Sequence, residues 1–186
     1  MRDSAVHRAM HELAKDLEEA GIPYAIVGAM ALNEHGYERV TTDVDVLLTR
    51  EGLAAFKERF LGRGYVEKFA GSKAMRNTRH NVSIDVLLTG DYPGDGKPKP
   101  ISFPDPAQVA ERGVRFSLLP IPRQLELKLA SGISAPHRMK DLADVLEWVK
   151  HAKLPRELAD QLDPYVRDKF LELWDLAQTP DPIADG

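Results

Sequence analysis

Two stretches decide how this chain is read: Tyr24-Ala25-Ile26-Val27-Gly28-Ala29-Met30-Ala31-Leu32, and Thr42-Asp43-Val44-Asp45-Val46-Leu47-Leu48-Thr49. The first is a short apolar run broken by a glycine and followed by small helix-formers. It reads as a strand, a tight turn and a short helix ending near His35 and Gly36. The second reads as a strand over 42–49. Alternate strand residues share a face, so Asp43 and Asp45 point one way while Val44 and Val46 point the other. Aspartate is disfavoured in strands. Two on one face repel each other unless a cation neutralises them, and hard divalent ions with oxygen ligands suit such a pair. The plainer reading is two solvated acids at the polar edge of a strand.

The motif repeats. Asp45-Val46-Leu47-Leu48-Thr49 returns as Asp85-Val86-Leu87-Leu88-Thr89. Either a Val/Leu-rich chain repeats itself by chance, or two neighbouring strands carry their acids at the same end. Gly28 lies about fifteen residues before Asp43, where a backbone without a Cβ can approach a phosphate. A plain strand-to-helix turn would also explain it. Together, Gly28 and the three aspartates have the makings of a phosphate cradle beside a metal site.

Around this centre the pattern is mostly regular. Val6, Met10, Leu13 and Leu17 mark an amphipathic first helix closed by Gly21 and Pro23. A helix is expected over 51–61, and residues 62–81 read as mixed and basic. A strand follows over 82–89. Five prolines and three glycines make 90–106 a loop. A short helix over 107–112, a last strand over 115–119, and helices over 122–131, 137–151 and 155–177 complete the reading, with a loose acidic end from Thr179.

The 186 residues hold 25 Lys and Arg against 29 Asp and Glu, a net charge of −4, and no cysteine. Disulfides, thiolate metal sites and cysteine nucleophiles are excluded. From His151 onward there are four basic and eight acidic residues, so the tail carries the whole excess and residues 1–150 are neutral. The totals provide no basic surface for strong non-specific nucleic-acid binding. No apolar run approaches the roughly 20 residues of a membrane span, and nothing marks export, so a cytoplasmic protein is expected.

The run Ile26-Val27-Gly28-Ala29-Met30-Ala31-Leu32, then His35-Gly36-Tyr37, then Arg39-Val40-Thr41-Thr42-Asp43-Val44-Asp45 resembles the signature of the DNA polymerase beta-type nucleotidyltransferase superfamily. Within it the likeness is to minimal nucleotidyltransferases related to abortive-infection (AbiEii-like) toxins of toxin–antitoxin systems. Leu125-Glu126-Leu127-Lys128-Leu129-Ala130 and Arg138-Met139-Lys140-Asp141-Leu142-Ala143-Asp144-Val145 resemble the helical block of those proteins. Ala29 departs from the pattern, since the family has a second small residue, glycine or serine, there.

The resemblance implies an α/β (α+β) nucleotidyltransferase fold: a small mixed sheet flanked by helices, with a core over 1–118 and a helical region over 119–186 packed on it. It implies that Asp43, Asp45 and Asp85 are catalytic and bind metal, holding two Mg²⁺ roughly 3.5–4 Å apart, with Mn²⁺ as the alternative ion. Gly28, Ala29, Lys128, Arg79 and Lys73 would bind the nucleotide. The reaction would carry a nucleoside monophosphate from an NTP to a hydroxyl of an RNA (tRNA) or protein acceptor, with an antitoxin as a further partner. The other reading of the same fold is a catalytically weak nucleotide-binding or interaction protein. A glycosyltransferase ranks last, because no βαβ unit precedes the Asp pair. A calcium loop is excluded by the missing loop glycine and closing glutamate.

On the residues alone, several of these have plainer explanations. Lys73, Arg76, Arg79 and His80 are equally a solvated basic loop. Lys128 could snorkel outward. Arg138, Lys140, Asp141 and Asp144 stand at ion-pair spacings that fix helix packing. His35 and Tyr37 shape a turn, Arg39 faces either the site or solvent, and Trp148 and Trp174 read as core or interface.

Overall fold

The computed structural model describes residues 4–36 and 40–180. Tyr37, Arg39 and the acidic end from 181 lie outside the described residues. Two compact units are formed. The first comprises Met1–Glu34, Glu38–Asp91 and Phe103–Pro120; the second comprises His35–Tyr37, Tyr92–Ser102 and Ile121–Gly186.

The first unit is built on a seven-stranded mixed sheet. Its strands are β1 (Ala25–Val27), β2 (Asp43–Leu48), β3 (Tyr65–Glu67), β4 (Met75–Asn77), β5 (Val82–Leu88), β6 (Glu111–Arg112) and β7 (Ser117–Leu118), in the order β3-β4-β5-β2-β1-β7-β6. The two echoed segments are the central parallel pair. Asp45 stands opposite Asp85, Val46 opposite Val86, Leu47 opposite Leu87 and Leu48 opposite Leu88. The repeated sequence is therefore a repeated position in the sheet. β1 runs antiparallel to β2 and sets Val27 opposite Asp45.

One sheet face carries the core. Val44, Val46 and Leu48 of β2 and Ile84 and Val86 of β5 are buried with Met10, Leu13 and Leu17 of α1 (Ala5–Glu19) and Phe56 of α3 (Arg50–Phe60). Helix α1 follows the expected stripe. It ends when Gly21 turns left-handed at φ +68. There Gly21 N–H donates to the Glu18 carbonyl and Ile22 N–H to that of Leu17, satisfying the last carbonyls of the helix. Thr49 caps α3, its hydroxyl accepting from Gly52 N–H at 2.9 Å. The polar alternates of β2 and β5, Asp43, Asp45 and Asp85, are left on the other face, each half-buried.

Three details depart from the sequence reading. Residues 62–81 contain the β3–β4 hairpin. Its strands are three residues each, too short for alternation to register, and its buried alternate Asn77 is polar. The short helix expected over 107–112 covers only Pro106–Val109 (α4), and residues 111–112 join the sheet. The helix expected over 155–177 is two pieces, a 3₁₀ segment Arg156–Gln161 and α7 (Pro164–Ala177). Asp163 caps α7 by accepting from Tyr165 N–H at 2.8 Å, and Pro164 fits its first turn because it has no N–H to satisfy there.

The second unit contains α5 (Ile121–Ser134), α6 (Met139–Ala152) and α7. Leu125, Leu129, Val145, Trp148, Val166 and Phe170 are fully buried. Trp148 is thus core, as its sequence context suggested. The Trp174 indole N–H donates to the Leu154 carbonyl at 2.8 Å.

Candidate active site

Gly28 opens α2 (Gly28–Glu34) with φ +67, a conformation that strains any residue with a Cβ. Space is the stronger constraint. A Cβ on Gly28 would lie 2.2 Å from Asp45 Oδ2 and 3.0 Å from its carboxyl carbon. The glycine and the aspartate are therefore in contact, and the turn must stay bare because the carboxylate fills the space. This join was visible in the sequence only as a loose spacing of residues.

Asp45, Asp85 and Asp43 share a sheet face, the first two directly in register. Each carboxylate has a local anchor. Asp43 Oδ1 accepts the Thr41 hydroxyl at 2.7 Å. Asp45 packs on Gly28. Asp85 Oδ1 accepts from Lys68 Nζ at 2.9 Å, in a pair whose side chains are 36% and 40% exposed. Among the described residues, no three His, Cys, Asp or Glu side chains are drawn together tightly enough to hold a metal ion. The donors do fit a hard divalent cation in kind: three partly exposed carboxylates on one face, with no sulfur or imidazole among them.

The remaining sequence candidates of this unit are placed as follows. Ala29 is buried in α2 beside Met30 and Ala31. Arg79 forms an ion pair with Glu12 of α1. His80 stands 3.4 Å from the same carboxylate, which also accepts from Asn77 Nδ2 at 3.0 Å. Arg76 donates to Asn81 Oδ1 at 2.8 Å. Lys73 lies 4.0 Å from Asp91, which also pairs with Arg50 at 2.5 Å. The basic segment is thus used mainly to tie the hairpin to α1 and to the end of β5. Its residue on the acid face, Lys68, was not among the sequence candidates. Nothing local marks it, because its reach to Asp85 depends on a hairpin too short to read.

Lys128 belongs to the second unit. Its Nζ lies 2.8 Å from Asp144 Oδ2 and 3.5 Å from Asp141 Oδ1. Asp141 Oδ2 also accepts from Ser131 Oγ at 2.6 Å and from Arg138 Nε at 3.0 Å. Lys128, Ser131, Arg138, Asp141 and Asp144 of the helical block thus form a network that joins α5 to α6. Nearby, Glu126 is buried. Burial raises its carboxyl above the usual range, opposed by the Asp163 N–H at 2.8 Å and by Arg123.

No protein-family model matches the chain, and no curated protein matches it. Solved structures do. A putative nucleotidyltransferase from Thermotoga maritima aligns with a TM-score of 0.50 and 14% identity, over 75% of this chain and 91% of that one. A putative nucleotidyltransferase from H. pylori aligns with a TM-score of 0.49 and 17% identity, over 92% and 91%. The antibiotic-resistance factor ANT(2'')-Ia aligns with a TM-score of 0.43 and 14% identity, over 91% and 80%. The Thermotoga likeness shows the fold, which in this chain is a mixed sheet flanked by helices.

Proposed function

We propose that the chain is a metal-dependent nucleotidyltransferase that moves a nucleoside monophosphate from an NTP to an acceptor hydroxyl and releases pyrophosphate. The observation that carries this reading is the contact of Asp45 with the bare Cα of Gly28, with Asp85 in register beside it. The fold likeness supports it. Asp43, Asp45 and Asp85 would hold Mg²⁺, or Mn²⁺, which when bound neutralises the triphosphate and acidifies the acceptor hydroxyl. Such chemistry is mainly positioning and charge neutralisation, so it needs no protein nucleophile. In this reading the acceptor oxygen bonds to the α-phosphorus as the bond to the bridging β-oxygen breaks. Asp85 takes up the hydroxyl proton. Gly28 keeps the backbone open beside Asp45, where a side chain would displace the carboxylate.

The acceptor is proposed to be an RNA (tRNA) or a protein, and the chain is proposed to act as a toxin neutralised by an antitoxin. These finer points rest on the sequence resemblance. Incubating the protein with Mg²⁺ and each α-labelled NTP, with total tRNA or with the protein alone, tests the transfer and its acceptor. Label should enter one acceptor, and the Asp43→Ala/Asp45→Ala variant should transfer none. A second reading, a catalytically weak nucleotide-binding or interaction protein, draws on Ala29, whose methyl stands where the resembled family has glycine or serine. NTP binding without transfer to any acceptor would favour it.

Among the described residues, no helix is long and apolar enough to cross a membrane.

A further inference from the structure

Asp85 already has a cation. Lys68 follows β3 directly, and its N–H donates to the Ala74 carbonyl at 3.0 Å, extending the β3–β4 pairing by one step. The β4–β5 register sets Met75 opposite Ile84, so one further step brings Ala74 beside Asp85. Lys68, Ala74, Asp85 and Asp45 therefore stand on one line across the sheet. The side chain of Lys68 has to cross an entire strand to reach Asp85, and the residue it crosses has only a methyl group. Its backbone is held in place. Lys57 of α3 grips both ends of the turn, with Nζ 2.6 Å from Glu67 Oε1 and 2.5 Å from the Ser72 carbonyl. Gly71 N–H donates to Glu67 Oε2 at 2.9 Å. With the turn fixed, the lysine's own side-chain torsions are what remain to change.

An ammonium at 2.9 Å and a divalent ion compete for the same carboxylate oxygens. From this we infer that Lys68 is a built-in competitor of the metal at Asp85: a positioning residue that neutralises and orients the third acid until a divalent ion displaces it. The pair suits exchange. Both side chains are more than a third exposed, so opening it strands no buried charge, and a pair of this kind is worth little in water. Lysine is a compact point charge on a flexible stem, well made for letting go. The displaced ammonium stays within a side chain's length of the acid face. The inference rests on the proposed role of the three acids, and its test keeps the two apart.

The full-length protein is titrated with Mn²⁺ alone, and free Mn²⁺ is read by electron paramagnetic resonance. Lys68→Met should bind Mn²⁺ about fivefold more tightly than the parent, the scale of an exposed ion pair. Lys68→Gln should do likewise, and guards against a fold defect peculiar to methionine. Lys68→Arg should stay within about twofold of the parent. The gain should vanish in Lys68→Met/Asp85→Asn. If the parent binds Mn²⁺ through Asp43, shown by loss in Asp43→Asn, yet Lys68→Met and Lys68→Gln bind no more tightly, Lys68 does not compete and the inference falls while the site stands. If no variant binds Mn²⁺, or Asp43→Asn binds as well as the parent, the proposed site falls and the inference with it.

Discussion

Lys68 with Asp85, and Lys128 with Asp141 and Asp144, both set lysine against aspartate, and burial separates the two. On the acid face of the first unit, Lys68 and Asp85 are 36% and 40% exposed. In the second unit, Lys128, Asp141 and Asp144 are 14%, 12% and 10% exposed. The chemistry is the same but the cost of separation is not. A charge left without its partner near water is rehydrated, whereas one left inside is not. The first arrangement is fit for exchange with a ligand and the second for fixing α5 to α6.

The largest effect expected is on chemistry. Asp45→Asn, an isosteric loss of one charge beside Gly28, should lower nucleotidyl transfer by roughly 10³-fold, with the circular dichroism spectrum unchanged. The largest effect on stability should come from the buried network. Lys128→Met leaves Asp141 and Asp144 without their ammonium, and should cost about 3–5 kcal/mol in urea unfolding. Lys68→Met should cost less than about 1 kcal/mol in the same experiment; equal losses would mean that burial does not set the two pairs apart. Between them falls Gly28→Ala, at about 1–3 kcal/mol for the left-handed backbone, with transfer lost as well because the new methyl displaces Asp45.

The smallest effect is a pH slope. Burial raises the folded Glu126 carboxyl above 4.5, so the folded chain holds that proton more tightly than the unfolded chain. Its contribution to stability is full in acid, and is lost as pH rises from the unfolded value through the raised folded one. Melting temperatures of Glu126→Gln, followed over that interval, should lack this decline.

Much of the fold is legible in the sequence because local and long-range signals agree. The stripe of Met10, Leu13 and Leu17, the Val44/Val46 alternation and the Asp-Val-Leu-Leu echo each state a face, and the sheet obeys all three. The hairpin could not be read. Tyr65 and Met75 are buried alternates of three-residue strands, and the third, Asn77, is polar and satisfied by Glu12. With the hairpin went Lys68, whose partner is seventeen residues away in sequence. Asp163-Pro164 carried a legible helix start, which the long apolar periodicity across 155–177 obscured. The sequence left Lys128 between a phosphate contact and a solvent-facing side chain. It could not reveal that Asp141 and Asp144 enclose the ammonium, because that depends on how two helices pack.

The central claim, that the acids on one sheet face and the bare turn at Gly28 form a metal–nucleotide site, is tested most directly by thermal shift. The protein is melted with each of the four NTPs, with and without Mg²⁺, beside Asp43→Ala/Asp45→Ala. At least one NTP should raise the parent's melting temperature by several degrees, only with Mg²⁺ and not in the variant; ligand at 100 times its Kd adds about 2.7 kcal/mol. No shift with any NTP, or an equal shift in the variant, would contradict the account.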